Sequence, residues 1–96
     1  MNTEKNEVAA ITGTTESGFR YTLPPDALDD YELLEDLCDI DNGDASKITI
    51  AARRLLGDTQ VEALKDHVRN ENGRVPATKM VKEITQIFNE TKVKNS

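Results

Sequence analysis

Between Asp26 and Asp44 the chain reads DALDDYELLEDLCDIDNGD, with nine carboxylates and no Lys, Arg or His. Leu28, Tyr31, Leu34, Leu37 and Cys38 recur within it at helical spacing. The pattern predicts an amphipathic helix with one apolar stripe and a wholly acidic remainder. Everything else in the chain has to supply a core for that stripe and tolerate that charge. Leu33 and Ile40 fall off the stripe, which predicts exposed apolar atoms at both.

A chain of 96 residues makes one domain with no room for a second core. A domain of this size buries roughly 60 to 70% of its unfolded surface, so it folds alone with little margin. The apolar fraction of 36% is low, and the only aromatics are Phe19, Tyr21, Tyr31 and Phe88, so the core must be aliphatic and small. Some helix faces are then expected to remain for a partner or for self-association. The net charge of −6 argues against nucleic acid as a ligand, because phosphate binding needs a basic surface. The charge is uneven: residues 1–25 carry −1, 26–44 carry −9 and 45–96 carry +4. The acidic and basic parts are expected to attract each other, within a molecule or between molecules. Cys38 is the only cysteine, which rules out an internal disulfide and fits a reducing cytoplasm. No apolar run has the length of a membrane span, and VAAI at 8–11 is too short for a signal sequence. A soluble protein that stays in the cell is expected.

Residues 1–6 are polar and expected to be flexible. Glu7–Thr12 reads as a short strand, GTTESG at 13–18 is turn chemistry, and Phe19–Leu23 alternates apolar and polar residues like a second strand. Pro24-Pro25 ends the extended segment. Asp26 with Asp29, or Asp29 with Glu32, offers the cap of a first helix over Ala27 to Asp41, which Asn42-Gly43 stops. A second helix is predicted over Ser46 to Leu56, with Ile48, Ala51, Ala52, Leu55 and Leu56 inward; Ile50 lies about 200° from Ile48 and off that stripe. Thr59 and Glu62 read as a capping box for a third helix, whose narrow core face is Val61, Leu64 and Val68. NENG at 70–73 stops it. Pro76 then opens a fourth helix running to Thr91, with Ala77, Met80, Val81, Ile84, Ile87 and Phe88 on its stripe and Lys79–Glu83 as an i,i+4 pair. The fold class expected is mainly α: a small bundle of four short helices preceded by a short β-hairpin. Residues 1–16 are expected to be a flexible segment with at most one strand, 17–91 the helical domain, and 92–96 a frayed tail.

Catalysis has little to stand on. His67 is the only histidine, and the sequence names no nucleophile within its reach, so a structural or surface role is expected. A deep polar pocket around His67 would revive an enzymatic reading. Cys38, on the predicted stripe and beside Asp36 and Asp39, reads as a small core hydrophobe rather than a reactive thiolate. A calcium loop counted from Asp39 fails, since position 5 is Gly43, position 6 is Asp44 and position 12 is Ile50. No Gly-rich phosphate loop follows a strand, and Arg53-Arg54 without interleaved aromatics reads as a solvated face. No cofactor or metal is expected. The acidic helix remains. Its bland reading is a solubilising face, but Asp39 and Asp41 crowd its C-terminus, where the dipole disfavours them by about 0.3–1 kcal/mol each. Their counter-charge belongs either to Arg53, Arg54, Arg69 and Arg74 or to a partner.

Three ordered strings carry a resemblance: SGFRYTLPPDALDDYELLEDLCDIDNGD, AARRLLGDTQVEALKDHVRNENGRVP and KMVKEITQIF. Over about residues 17 to 90 the chain resembles the tail assembly chaperones of long-tailed (siphovirus-type) phages and prophages of Gram-positive bacteria. The segments DDYELLE, RLLGD and NGRVP are the most telling, and their order and spacing matter more than any one of them. The resemblance implies a small, mostly helical, non-catalytic protein of the bacterial host cytoplasm, absent from the mature virion. It implies binding to the tape-measure protein, help in recruiting tail-tube subunits, and self-association. It also implies the short form of a product that in such families has a longer frameshifted form. On that reading the expected contact residues are Tyr31, Leu33 and Ile40 on the first helix, Ile50 on the second, and Met80, Ile84 and Phe88 on the fourth. The alternative is a small structural tail or virion component, or another protein–protein interaction module.

Overall fold

The computed structural model describes residues 10–94. The first residues of the expected flexible segment, including part of the strand predicted from Glu7, lie outside them. Two strands, β1 (Ile11–Thr14) and β2 (Arg20–Leu23), pair antiparallel with Ile11 opposite Leu23 and Thr14 opposite Arg20. Four helices follow: α1 (Tyr31–Asp41), α2 (Ile48–Leu56), α3 (Asp58–Val68) and α4 (Ala77–Lys94). A short 3-10 turn, Ala45–Lys47, leads into α2. The chain is thus mainly helical, with a small bundle behind a hairpin.

The hairpin forms where period-two alternation meets turn residues. Tyr21 and Leu23 are buried while Arg20 and Thr22 face out. Gly18, at φ 95°, makes the turn that an L side chain would strain, and its N–H donates to the Thr15 carbonyl (2.9 Å). A two-stranded ribbon is marginal by itself, and this one leans on helices: β1 lies against α4, and β2 against α2.

Helix α1 starts a turn later than the sequence predicts. Residues 26–29 form turns instead, with the Ala27 N–H donating to Pro24 O (3.0 Å) and the Asp29 N–H to Asp26 O (3.1 Å). The cap is Asp30, not Asp26 or Asp29. Its backbone is extended (φ −132°), and its carboxylate accepts from the Leu33 N–H at 3.1 Å. The predicted capping box at Thr59 does not form either. Gly57, at φ 81°, turns the chain so sharply that α3 begins at Asp58 and leaves Thr59 inside the first turn. Helix α4 opens directly after Pro76, whose carbonyl accepts from the Lys79 and Met80 N–H groups, and continues past the expected end at Thr91.

Helix α2 is central, packed against α1, α3, α4 and β2. Ala51 and Ala52 let its neighbours approach closely, and Leu55 is fully buried. Val61, Leu64 and Val68 of α3 and Ile84 and Ile87 of α4 complete the aliphatic core. Each of these larger side chains contributes about 1.5–3 kcal/mol by leaving water.

Candidate functional site

Helix α1 presents two apolar arcs, each about 60° wide at 100° per residue. One holds Leu33, Leu37 and Ile40; the other holds Tyr31, Leu34 and Cys38. The first arc is the buried one: Leu33 is 1% exposed, and Leu37 and Ile40 are nearly as covered. This reverses the sequence reading, in which Leu33 and Ile40 were to be exposed and Cys38 buried. Starting α1 at Tyr31 takes Leu28 off the helix, so the stripe that included it loses its first member. The helix then turns its more aliphatic arc to α2.

The second arc faces outward. Tyr31 is 74% exposed, Leu34 is 44% exposed, and the Cys38 thiol is also exposed. Ile50 on α2 is 50% exposed, as its place off the α2 stripe predicts. None of the other expected contact residues is fully exposed in this fold. Leu33, Ile40 and Ile84 are core residues, because their arcs face α2 or the bundle interior. Met80 is buried but lines an apolar cleft of about 230 Å³ with Ile48, Val61 and Val75, and Phe88 packs half-buried against the core. Sequence reasoning missed Leu34 as a surface residue; its position on one arc with Tyr31 and Cys38 was the available signal.

The carboxylates of α1 and its cap divide by whether a described cation reaches them. Arg54 of α2 reaches Asp30 (3.3 Å), Glu32 (3.0 Å) and, at 4.0 Å, Asp36. The Asp30 carboxyl is held below its usual value, first by the Leu33 N–H and then by Arg54. Desolvation alone would lower the Arg54 guanidinium, but Glu32, Asp30 and Asp36 outweigh it and raise it above its ordinary value. The internal counter-charge is therefore Arg54. Arg53 pairs instead with Asp58 at the start of α3 (2.6 Å), and Arg69 with Asp66 (3.1 Å). Glu35, Asp39 and Asp41 make no ion pair with another described residue. The last turn of α1 holds no basic residue. Its terminal carbonyls are met by backbone alone: Asn42 N–H to Cys38 O, Gly43 N–H to Ile40 O and Asp44 N–H to Asp39 O. Asp44 caps the 3-10 turn, where the Ser46 hydroxyl and then the Ser46 N–H hold its carboxyl below the usual range.

No protein-family model, curated protein or solved structure matches the chain.

A hydroxyl does lie within reach of His67, which the sequence did not indicate. Ser17 Oγ is 3.0 Å from His67 Nε2. The two line a depression of about 310 Å³ with Arg69, Lys79, Lys82 and Glu83. The same Nε2 lies 3.2 Å from the Ser17 carbonyl oxygen, which can only accept. With Nε2 protonated the ring donates to that carbonyl; with Nε2 bare it accepts from the Ser17 hydroxyl. Glu83, buried at 4% exposure, accepts from Thr15 Oγ1 (2.8 Å) rather than pairing with Lys79 as the i,i+4 spacing predicts. Glu83 sits at the margin of the inward face of α4, which points its carboxylate at the hairpin turn. With the Glu16 N–H to Gln86 (3.2 Å) and the ring of Phe19 tilted against His67 (5.6 Å), these contacts dock the hairpin turn onto α3 and α4. Among the described residues no group of three His, Cys, Asp or Glu could hold a metal ion. No described helix is long and apolar enough to cross a membrane.

Proposed function

We propose that this chain is a non-catalytic assembly chaperone of phage tails, one that binds the tape-measure protein and helps recruit tail-tube subunits. The observation that carries the reading is the exposed arc Tyr31–Leu34–Cys38 on the acidic helix. Tyr31, Leu34 and Cys38 lie on one arc of one helix rather than scattered, and a holdase needs such apolar surface for its client. The carboxylates around the arc keep both the domain and its complex in solution and favour encounter with basic partners. Ile50 is a further exposed apolar residue, on α2. The ordered resemblance over residues 17 to 90 supplies the identity of the client. On this reading the protein acts in the host cytoplasm, self-associates, and leaves before the virion is complete.

Co-expression tests it directly. The tape-measure product expressed with this chain should be soluble and co-purify with it, and purified particles should lack the chain by mass spectrometry. A tape-measure product that stays insoluble and unbound in the presence of this chain defeats the proposal. Stoichiometric presence in particles would instead favour a structural tail component.

A further inference from the structure

We infer that the outer face of α1 grips a basic amphipathic helix of its partner, side by side, through a narrow apolar seam bordered on both edges by carboxylates. The inference rests on the chaperone reading only for where such a helix would come from.

The seam is Tyr31, Leu34 and Cys38, all exposed. At 100° per residue, Glu35 and Asp39 border one edge and Asp41 the other. That layout is half of a paired-helix interface, in which apolar positions form the seam and flanking charges choose the partner. All charges here have one sign, and none of the three is engaged by a described cation. Arg54 already pairs with three other carboxylates of the helix and its cap, Asp30, Glu32 and Asp36. Among the described residues the outer carboxylates have no cation in ion-pair contact, and a basic partner complements them. A partner with lysine or arginine flanking its own apolar stripe supplies counter-charge on both edges. It also places cations at the C-terminus of α1, where the helix dipole favours them and the last turn holds no basic residue.

A second copy does not fit. Two α1 helices laid seam to seam would set Glu35, Asp39 and Asp41 against the same residues of the other copy, and like charges at such positions oppose pairing. A nucleic acid is repelled by the same carboxylates. Helix α1, with 11 residues, is about 16 Å long. The recognised element is correspondingly about three turns.

The test uses the full chain and two synthetic peptides of about three heptads, both with leucine at the a and d positions. One carries lysine at e and g, the other glutamate. The lysine peptide should bind, the glutamate peptide should not, and raising salt from about 0.05 to 0.5 M should weaken binding about tenfold. The triple variant Glu35→Lys/Asp39→Lys/Asp41→Lys should reverse the preference and bind the glutamate peptide. Tyr31→Ser/Leu34→Ser should lose both peptides, with the far-UV circular dichroism of the wild type retained because both residues are exposed. Failure of the lysine peptide to bind the wild type overturns the inference, as does equal binding of it by the triple lysine variant. The two readings fail separately. If the tape-measure product is kept soluble by the wild type and the triple variant alike, the chaperone reading stands and this inference falls. If the peptides behave as expected but the tape-measure product is neither bound nor solubilised, the inference stands and the chaperone reading falls.

Discussion

Leu33 and Leu34 are neighbours in sequence, yet one is 1% exposed and the other 44%. Truncation should separate them sharply. Leu33→Ala opens a cavity between α1 and α2 and should cost about 2–5 kcal/mol in urea unfolding. Leu34→Ala removes atoms already in water and should stay within about 0.5 kcal/mol. Equal losses would mean that the two arcs of α1 are assigned the wrong way round. Asp30 gives a pH signature at the same scale. Its carboxyl titrates below the ordinary 3.8 in the folded chain because the Leu33 N–H, and then Arg54, favour the charged form. A depressed folded pKa contributes stability above the unfolded pKa and loses it as pH falls through the folded value. Asp30→Ala should therefore lower Tm by a few degrees near neutrality. The gap to wild type should close below about pH 4. A gap of constant size into strong acid would show that the cap does not act through its charge.

Among the elements, the hairpin depends most on one contact. Thr15 Oγ1 donates to the buried Glu83 carboxylate and accepts from the Phe19 N–H (3.2 Å), tying the turn to α4. Thr15→Val strips the donor from a buried acid and should cost about 1–3 kcal/mol, with the hairpin amides losing protection first. Adding Glu83→Met removes the orphaned acceptor and should recover part of the loss, a coupling that a double-mutant cycle reads directly. Full additivity of the two would mean the contact is incidental. Such a contact is not legible in sequence, because nothing local links Thr15 to Glu83. The helices themselves were legible to different degrees. Helices α2, α3 and α4 each carry one apolar arc, so Ala51, Leu55, Leu64, Ile84 and Ile87 were placed correctly from spacing alone. Helix α1 carries two arcs of similar width, and spacing cannot rank them. The position of the cap decided between them, and three aspartates at 26, 29 and 30 competed for that position. The arc that spacing assigned to the core, Tyr31, Leu34 and Cys38, became the exposed one.

For the molecule as a whole, the arrangement around α2 sets the order in which parts can open. α2 contacts α1, α3, α4 and β2, whereas α1 is held chiefly through α2 and the 3-10 turn. One face of α1 is buried, and its other face carries Tyr31 and Leu34 in water beside carboxylates that repel one another. Opening α1 therefore exposes less apolar surface than opening α2 and relieves charge. Native-state hydrogen exchange should show the amides of Ala52, Leu55 and Leu56 exchanging only with global unfolding. For a chain of this length that corresponds to about 5–14 kcal/mol. The amides in the outer turns of α1 should exchange through a local opening of lower free energy. High salt should narrow the difference by screening Glu35, Asp39 and Asp41. A bound basic helix should narrow it further, because an occupied seam adds burial where the free domain has least. If α1 and α2 exchange with the same free energy at low salt, the carboxylates impose no strain on α1. A basic partner would then gain nothing by relieving it.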